Sequence, residues 1–212
     1  MQRSTSLFVR RFPALCGLTA PLWFVFALQL FGALRPEFRH STKAVSELGV
    51  WGAPNALAWN ICGFGAVGVL ITVFAWGLRN QAGYQLTSLL VGASGLAFAA
   101  TGVFPADMDD LGAFSSRMHI AASLVSFAAF VIAVLVVNWP LWRSGRRRYA
   151  LALLAFGVAV VLSVLLRESG MPPGLAQRIN FLGYLLWVAV LGIGTWKNDV
   201  LTPQSAPAER SL

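Results

Sequence analysis

Residues 118–142 read MHIAASLVSFAAFVIAVLVVNWPLW and contain no Asp, Glu, Lys or Arg. An α-helix needs about 20 apolar residues to cross a hydrocarbon core of roughly 30 Å, so this run is long enough to span a bilayer. Its apolar residues lie on every side, whereas a strand of a membrane barrel alternates apolar and polar residues. Because a backbone in lipid must satisfy its own hydrogen bonds, the run is predicted to form a transmembrane helix.

The composition of the whole chain also favours a membrane protein. Of the 212 residues, 57% are hydrophobic and 11% are charged, and the mean hydropathy is +0.69. Soluble domains have about 25% charged residues. A water-soluble fold of this length has too little interior to bury so many apolar side chains, which excludes a lone soluble domain.

Five further apolar runs lie along the chain, at approximately residues 12–34, 55–78, 85–104, 150–166 and 178–196. Together with the first run they predict an all-α membrane protein, a bundle of six transmembrane helices over residues 12–196. Residues 1–11 are predicted to be a cytoplasmic N-terminus. Residues 197–212, which are polar with Pro and Ser, are predicted to be a disordered cytoplasmic tail.

Basic residues are unequally shared between the two ends of the predicted bundle. Ten of the 16 Lys and Arg residues fall in residues 1–11, in the second and fourth connections, and in the tail. Because Lys and Arg favour the cytoplasmic side, both termini are predicted to be cytoplasmic, in a multi-pass protein of a bacterial plasma (inner) membrane. This asymmetry accounts for the net charge of +8 without a nucleic-acid partner, and membrane lipids are the expected partners.

The third run contains a stripe of small residues at alternating steps of four and three. The stripe consists of Ser88, Gly92, Gly95, Ala99 and Gly102. Such stripes let helix backbones approach closely in a bilayer, so the third helix is predicted to be central. Phe98 lies off the stripe, so Phe98→Leu is expected to be tolerated. Alternatively, Gly and Ala are simply frequent in membrane helices.

Standard signals of catalysis and metal binding are missing from the sequence. No phosphate-binding loop, H-E-x-x-H, G-x-S-x-G or C-x-x-C motif occurs. Residues 107–118 begin like a calcium loop but lack the ligands required at its fifth and twelfth positions. With only His40 and His119 available, a three-histidine zinc site is impossible. The sequence therefore predicts no metal site and identifies no cofactor.

Polar residues from separate segments lie at one depth, near the extracytoplasmic ends of the predicted helices. The candidate ligand-binding residues are Glu47, Asn60, Asp107, His119 and Arg178. Polar side chains below the membrane interface are costly and are often functional. They predict a pocket on the extracytoplasmic side that binds a lipid headgroup or small polar ligand. The structural alternatives are a bond from Asn60 to a neighbouring backbone and an interface anchor for Arg178.

Two other functional classes fit the same residues. In an intramembrane hydrolase or transferase, His119 would act as base or metal ligand with Asp107, and Ser46 would be the nucleophile. The second alternative is a non-catalytic membrane scaffold. Residues 41–49 are predicted to form a short helix capped by Ser41 or Thr42, which would let Glu47 face the polar centre.

Several short motifs resemble, in order and spacing, the bacterial membrane family called domain of unknown function 998. They are Ser46-Glu47-Leu48-Gly49, Trp59-Asn60, Phe104-Pro105-Ala106-Asp107, His119 and Gln177-Arg178. The resemblance covers about residues 13–196. A more distant similarity is to the eukaryotic DRAM and Frag-type membrane proteins, which share a Ser-acidic-x-Gly element after the first helix. The resemblance implies a six-helix bundle and assigns no reaction.

Overall fold

The computed structural model describes residues 2–79 and 84–196. Six helices in these ranges are long and apolar enough to cross a membrane. They are α1 (Gln2–Ala33), α2 (Ala56–Arg79), α3 (Gln85–Val103), α4 (Phe114–Arg143), α5 (Arg147–Glu168) and α6 (Pro173–Trp196). The described residues contain no strand. The predicted all-α bundle of six transmembrane helices is confirmed, and the predicted tail 197–212 lies outside the described residues.

Some helices begin earlier than the apolar runs indicated. Within the segment 1–11, helix α1 already begins at Gln2, and its membrane-spanning part is Arg11–Ala33. Helix α6 begins at Pro173, five residues before the predicted start. Proline favours the first helical position because its φ angle is preset and its missing N–H is not needed there. Hydropathy marks only the part of a helix that lies in lipid, so it misses such interfacial turns.

The six spans form a closed ring. Each helix packs against its neighbours in the sequence, and α6 packs against α1. The contact between α4 and α5 is the least extensive of these. Because α3 is one member of the ring, the prediction that it is central is wrong.

The small-residue stripe of α3 packs tightly against α2. A Cβ atom on Gly68 of α2 would lie 2.5 Å from the carbonyl oxygen of Gly95, and one on Gly102 would lie 2.5 Å from that of Asn60. Ser88 Oγ donates a hydrogen bond of 2.7 Å to the carbonyl of Ala75. The stripe therefore marks a close helix contact, as small residues do in membranes.

Aromatic rings fill the interior of the ring of helices. Phe98 is only 3% exposed. Its ring contacts those of Phe24, Phe64, Phe181 and Tyr184, at centroid distances of 5.5–6.3 Å. Helix α3 thus buries two faces, one against α2 and one inward. Phe98 therefore packs inside the bundle although it lies off the stripe, and the tolerance of Phe98→Leu stays a prediction.

Helix α2 contains one wide turn, a π-helical segment over Asn60–Gly65. Such segments are rare and weaken the regular hydrogen-bond ladder. The indole Nε1 of Trp23 in α1 donates a hydrogen bond of 2.8 Å to the carbonyl of Cys62, which gives this oxygen a partner. Asn60, the first residue of this turn, lies near one end of the bundle. We call this end, formed by residues 34–55, 104–113 and 169–172, the long-loop end.

Candidate functional site

The first connection, residues 34–55, lies across the long-loop end and is called the strap below. It contains a 3₁₀ helix over Val45–Gly49 in place of the predicted helix over 41–49. Glu47 accepts a hydrogen bond of 2.8 Å from the Ala44 N–H and pairs with Lys43 at 3.0 Å. Its carboxylate therefore caps its own short helix and does not turn towards the polar centre.

Arg178 holds the strap against α6. Its guanidinium donates to the carbonyls of Lys43 (3.0 Å) and Gly174 (2.7 Å) and to His40 Nδ1 (3.0 Å). The side chain of Gln177 assists, because its Oε1 accepts a hydrogen bond of 2.6 Å from the N–H of Val45. Arg178 was expected to bind a ligand or to anchor at the interface. Its terminal N–H groups instead donate to the strap and to its own helix, and its buried Nε has no partner among the described residues.

His40 is part of the same clamp. As a hydrogen-bond acceptor from Arg178, its Nδ1 must be unprotonated. Burial, and to a smaller extent the positive charge of Arg178, lower the pKa of His40. The clamp is therefore built around the neutral form of this histidine.

Asn60 fixes the other end of the strap. It is buried, and its Nδ2 donates a hydrogen bond of 2.9 Å to the carbonyl of Gly49. A Cβ atom on Gly49 would collide with the side-chain oxygen of Asn60, so glycine is needed there for this close approach. Asn60 thus follows the structural alternative, a bond to a neighbouring backbone.

Asp107 organises the loop that follows α3. Its Oδ1 accepts hydrogen bonds from the N–H groups of Asp109 (3.0 Å) and Asp110 (3.3 Å), and its own N–H donates to Ser116 Oγ (2.9 Å). The described residues contain no hydrogen bond or ion pair between Asp107 and His119. Asp107 consequently does not orient that histidine.

Among the predicted ligand-binding residues, His119 has one ring nitrogen that is available to a ligand. Its Nδ1 lies 2.9 Å from the carbonyl oxygen of Thr101 and 3.0 Å from that of Phe104. Carbonyl oxygens only accept hydrogen bonds, so Nδ1 bears the proton, and in the neutral ring Nε2 has a free lone pair. Within the part of the chain that the structure describes, Nε2 has no partner.

A cavity of about 300 Å³ adjoins His119. Helices α4, α5 and α6 form most of its wall, with Phe64 of α2, Phe98 and Thr101 of α3 and Ser46 of the strap. Its polar lining comprises Ser46, Thr101, His119, Ser123, Ser126, Ser163, Arg167, Glu168, Gln177, Asn180 and Tyr184. Five phenylalanines, Phe64, Phe98, Phe127, Phe130 and Phe181, line the remainder with a few aliphatic residues. The cavity therefore combines an aromatic floor with many hydrogen-bonding groups.

Two of the predicted site residues, His119 and Ser46, line this cavity. The other four, Glu47, Asn60, Asp107 and Arg178, do not. They were grouped because they share a membrane depth, but depth along a helix does not determine the direction in which a side chain points.

Several lining residues were not among the predicted ligands. Arg167, Glu168 and Asn180 share the depth of the predicted group, and that shared depth was the available signal. Asn180 Nδ2 is 3.1 Å from Ser163 Oγ. Deeper in the cavity, Tyr184 forms a hydrogen bond of 2.8 Å with Ser94. Isolated Ser and Tyr residues inside apolar runs give no sequence signal for a cavity.

A metal site and a serine nucleophile each require particular side chains close together. The described residues contain no group of three His, Cys, Asp or Glu side chains that could hold a metal ion. Ser46 Oγ lies 3.5 Å from Gln177 Nε2, and the described contacts of Ser46 include none with His119. A nucleophile needs a base within hydrogen-bond reach, and the described contacts supply none for Ser46.

Comparison of the chain with curated proteins and with solved structures found no significant match. A family model described as "Protein of unknown function (DUF998)" matches residues 18–194. This range contains nearly all of the six spans, so the match covers the bundle as a whole. The motif resemblance is thereby confirmed, and the chain belongs to the DUF998 family of proteins of unknown function.

Proposed function

We propose that this membrane protein binds a lipid headgroup or small polar ligand in the cavity beside His119. The main support is the lining itself, in which unpartnered polar groups such as His119 Nε2 adjoin aromatic rings. Ligand sites are typically concave and mostly apolar, with a few polar groups that fix orientation.

The proposal places the cavity on the extracytoplasmic side of a bacterial plasma (inner) membrane. The support is the excess of basic residues at the opposite end, which favours cytoplasmic termini. Reporter fusions after Lys197 and within residues 106–116 test this sidedness. We expect a cytoplasmic signal from the first and an external signal from the second. The reverse result would contradict the sidedness.

The hydrolase or transferase alternative receives less support from the contacts. It requires His119 to act with Asp107, whose carboxylate oxygen accepts two backbone N–H groups of its own loop. A non-catalytic scaffold without a ligand is the outcome that a failed binding experiment would favour.

Native mass spectrometry of the purified protein tests the binding proposal directly. We expect the wild-type protein to retain a non-covalent ligand. Ser123 is exposed at the mouth of the cavity, so Ser123→Trp should fill the mouth without disturbing the core and should remove the ligand. Ala121→Trp is the matched control, because Ala121 is exposed on the same helix and does not line the cavity. Equal ligand retention by both variants would contradict the proposal.

A further inference from the structure

The size of the cavity limits how much of a lipid it can enclose. Ligand sites span roughly 300–1,000 Å³, and this cavity, at about 300 Å³, is at the lower end. A whole phospholipid does not fit inside it. If a lipid is the ligand, only its headgroup and the first part of its chains are enclosed, and the chains must leave through an opening in the wall.

That opening lies between α4 and α5. Their contact is the least extensive in the ring, and the lining residues Leu124 of α4 and Val164 of α5 are 62% and 41% exposed. Nearer the opposite end of the bundle the two helices are in close contact. A Cβ atom on Gly157 there would lie 2.7 Å from the side chain of Val134. The opening therefore faces the lipid in one leaflet only.

The lining also changes along the depth of the membrane. On α4 the lining residues run from His119 and Ser123 to Phe127 and Phe130. At 1.5 Å per residue this path is about 16 Å long, roughly half of the hydrocarbon core. The charged groups Arg167 and Glu168 lie at the surface end of the cavity. Phe127 and Phe130 lie at its deep end, together with the hydroxyl groups of Ser126 and Tyr184, which are hydrogen-bonded within the protein. A phospholipid likewise has its charged groups at the headgroup end and its apolar chains deeper.

Charged groups at the mouth indicate the headgroup. Arg167 and Glu168 end α5 and line the cavity, and neither has an ion-pair partner among the described residues. Arg35 and Arg178 at the same end are bonded to Glu37 and to the strap, respectively. Arg117 is exposed but does not line the cavity. Arg167 is therefore the guanidinium available to a phosphate in the cavity.

The first turn of α6 provides no competing phosphate site. Helix N-termini bind phosphate through free N–H groups. Here the N–H groups of Gly174 and Leu175 donate to the carbonyls of Thr42 and Ser41 in the strap.

We infer that the ligand is a phospholipid with a primary amine in its headgroup. Its phosphate pairs with Arg167, its ammonium group pairs with Glu168, and its chains leave between α4 and α5. The inference rests on the proposed function and specifies its ligand. Arg167 gives bidentate hydrogen bonds to phosphate, and Glu168 accepts hydrogen bonds from N–H groups, which a quaternary ammonium lacks.

Lipid binding by the purified protein tests this inference. The probes are phosphatidylethanolamine, phosphatidylcholine and phosphatidylglycerol with identical chains, together with soluble glycerophosphoethanolamine. We expect the wild-type protein to bind phosphatidylethanolamine about tenfold more tightly than phosphatidylcholine, and to bind the soluble headgroup far more weakly.

Two pairs of variants assign the headgroup contacts. Arg167→Gln should weaken binding of all three lipids about tenfold, whereas Arg167→Lys, which keeps the charge, should retain most of it. Glu168→Gln should lower binding of phosphatidylethanolamine to the level of phosphatidylcholine. Arg117→Gln and Asp109→Asn remove exposed charges away from the cavity and should change nothing.

The outcomes separate this inference from the proposed function. Equal binding of the three lipids by the wild-type protein would overturn the amine preference but leave a lipid cavity. Equal binding of glycerophosphoethanolamine and the full lipid would overturn the lipid and favour a small polar ligand. Retention of lipid by Ser123→Trp would overturn the cavity itself. The comparison of lipids on the wild-type protein is decisive even if a variant fails to fold.

Discussion

The clamp around the strap and the cavity beside it use the same kinds of side chain at the same end of the bundle, with different results. In the clamp, Arg178 donates to two carbonyls and to His40. In the cavity, Arg167 has no ion-pair partner among the described residues. The two arginines are equally conspicuous in the sequence, so residue type and depth alone do not identify a site. The partners already present decide which group is available to a ligand.

The two histidines repeat this contrast. His40 uses Nδ1 to accept a hydrogen bond from Arg178, and its other edge packs against α1 where a Cβ on Gly32 would clash with it. His119 uses Nδ1 to donate to the carbonyls that end α3, and its Nε2 is left at the cavity. One histidine is therefore a structural acceptor, and the other has one edge free for a ligand.

The largest expected difference between the two regions is in stability. Arg178→Gln leaves the carbonyl of Lys43 and Nδ1 of His40 without their donor, so we expect a loss of about 2–4 kcal/mol. Arg167→Gln removes an exposed charge and should change stability by less than about 0.5 kcal/mol. Thermal unfolding in detergent measures both. Equal stability of the two variants would remove the distinction between clamp and cavity.

A somewhat smaller effect is expected at the other end of the strap. Asn60→Ala leaves the buried carbonyl of Gly49 unpaired, which costs about 1–3 kcal/mol. The exposed Asn55, at the start of α2, offers a control because its side chain makes no capping bond. Its left-handed backbone tolerates glycine, so Asn55→Gly should be nearly neutral. Destabilisation of Asn60→Ala no greater than that of the control would contradict the role of Asn60.

The clamp should also respond to pH. The pKa of His40 is lowered in the folded protein from its ordinary value of 6.5. Below about pH 6.5 the unfolded chain binds this proton more readily than the folded chain, so stability should fall as the pH falls. His40→Gln should remove this part of the pH dependence, as measured by melting temperature between about pH 7.5 and 5.5. An unchanged pH profile in His40→Gln would show that His40 is not responsible.

The smallest expected effect concerns the four side chains Glu47, Asp107, His119 and Arg178, which share one predicted membrane depth. The sequence predicts coupling between Glu47 and His119 and between Asp107 and Arg178. The structure gives each of these side chains a different partner, so both double-mutant cycles should be additive within about 0.5 kcal/mol. Lys43 and Glu47, paired at 3.0 Å on the surface, should couple by about 0.2–1 kcal/mol and set the scale for comparison. A larger coupling between Glu47 and His119 would mean that the strap approaches the cavity more closely than the contacts indicate.

The start of the strap illustrates what the sequence leaves open. Ser41 and Thr42 were expected to cap a helix, but their carbonyls accept the N–H groups of Leu175 and Gly174 from α6. This contact joins segments more than a hundred residues apart. A local pattern of Ser, Thr and Gly contains no information about such a partner, so the preference for a capped helix was overruled by the docking of α6.

The number of membrane spans, their approximate bounds and the family followed from the sequence alone. Transfer from water to lipid depends mainly on each residue's own side chain, so its contributions can be summed along the chain before any folding is considered. Small residues on α3 likewise marked a close contact, since backbone approach depends on side-chain size.

Only the tertiary structure decided which polar groups meet. The rotation of each helix about its axis and the path of the strap turned Arg178 and Asn60 towards backbone carbonyls, and turned Arg167, Asn180 and His119 Nε2 towards the cavity. These directions depend on the packing of all six helices together. The sequence places residues at a depth, whereas the packing determines the side on which each one finds its partner.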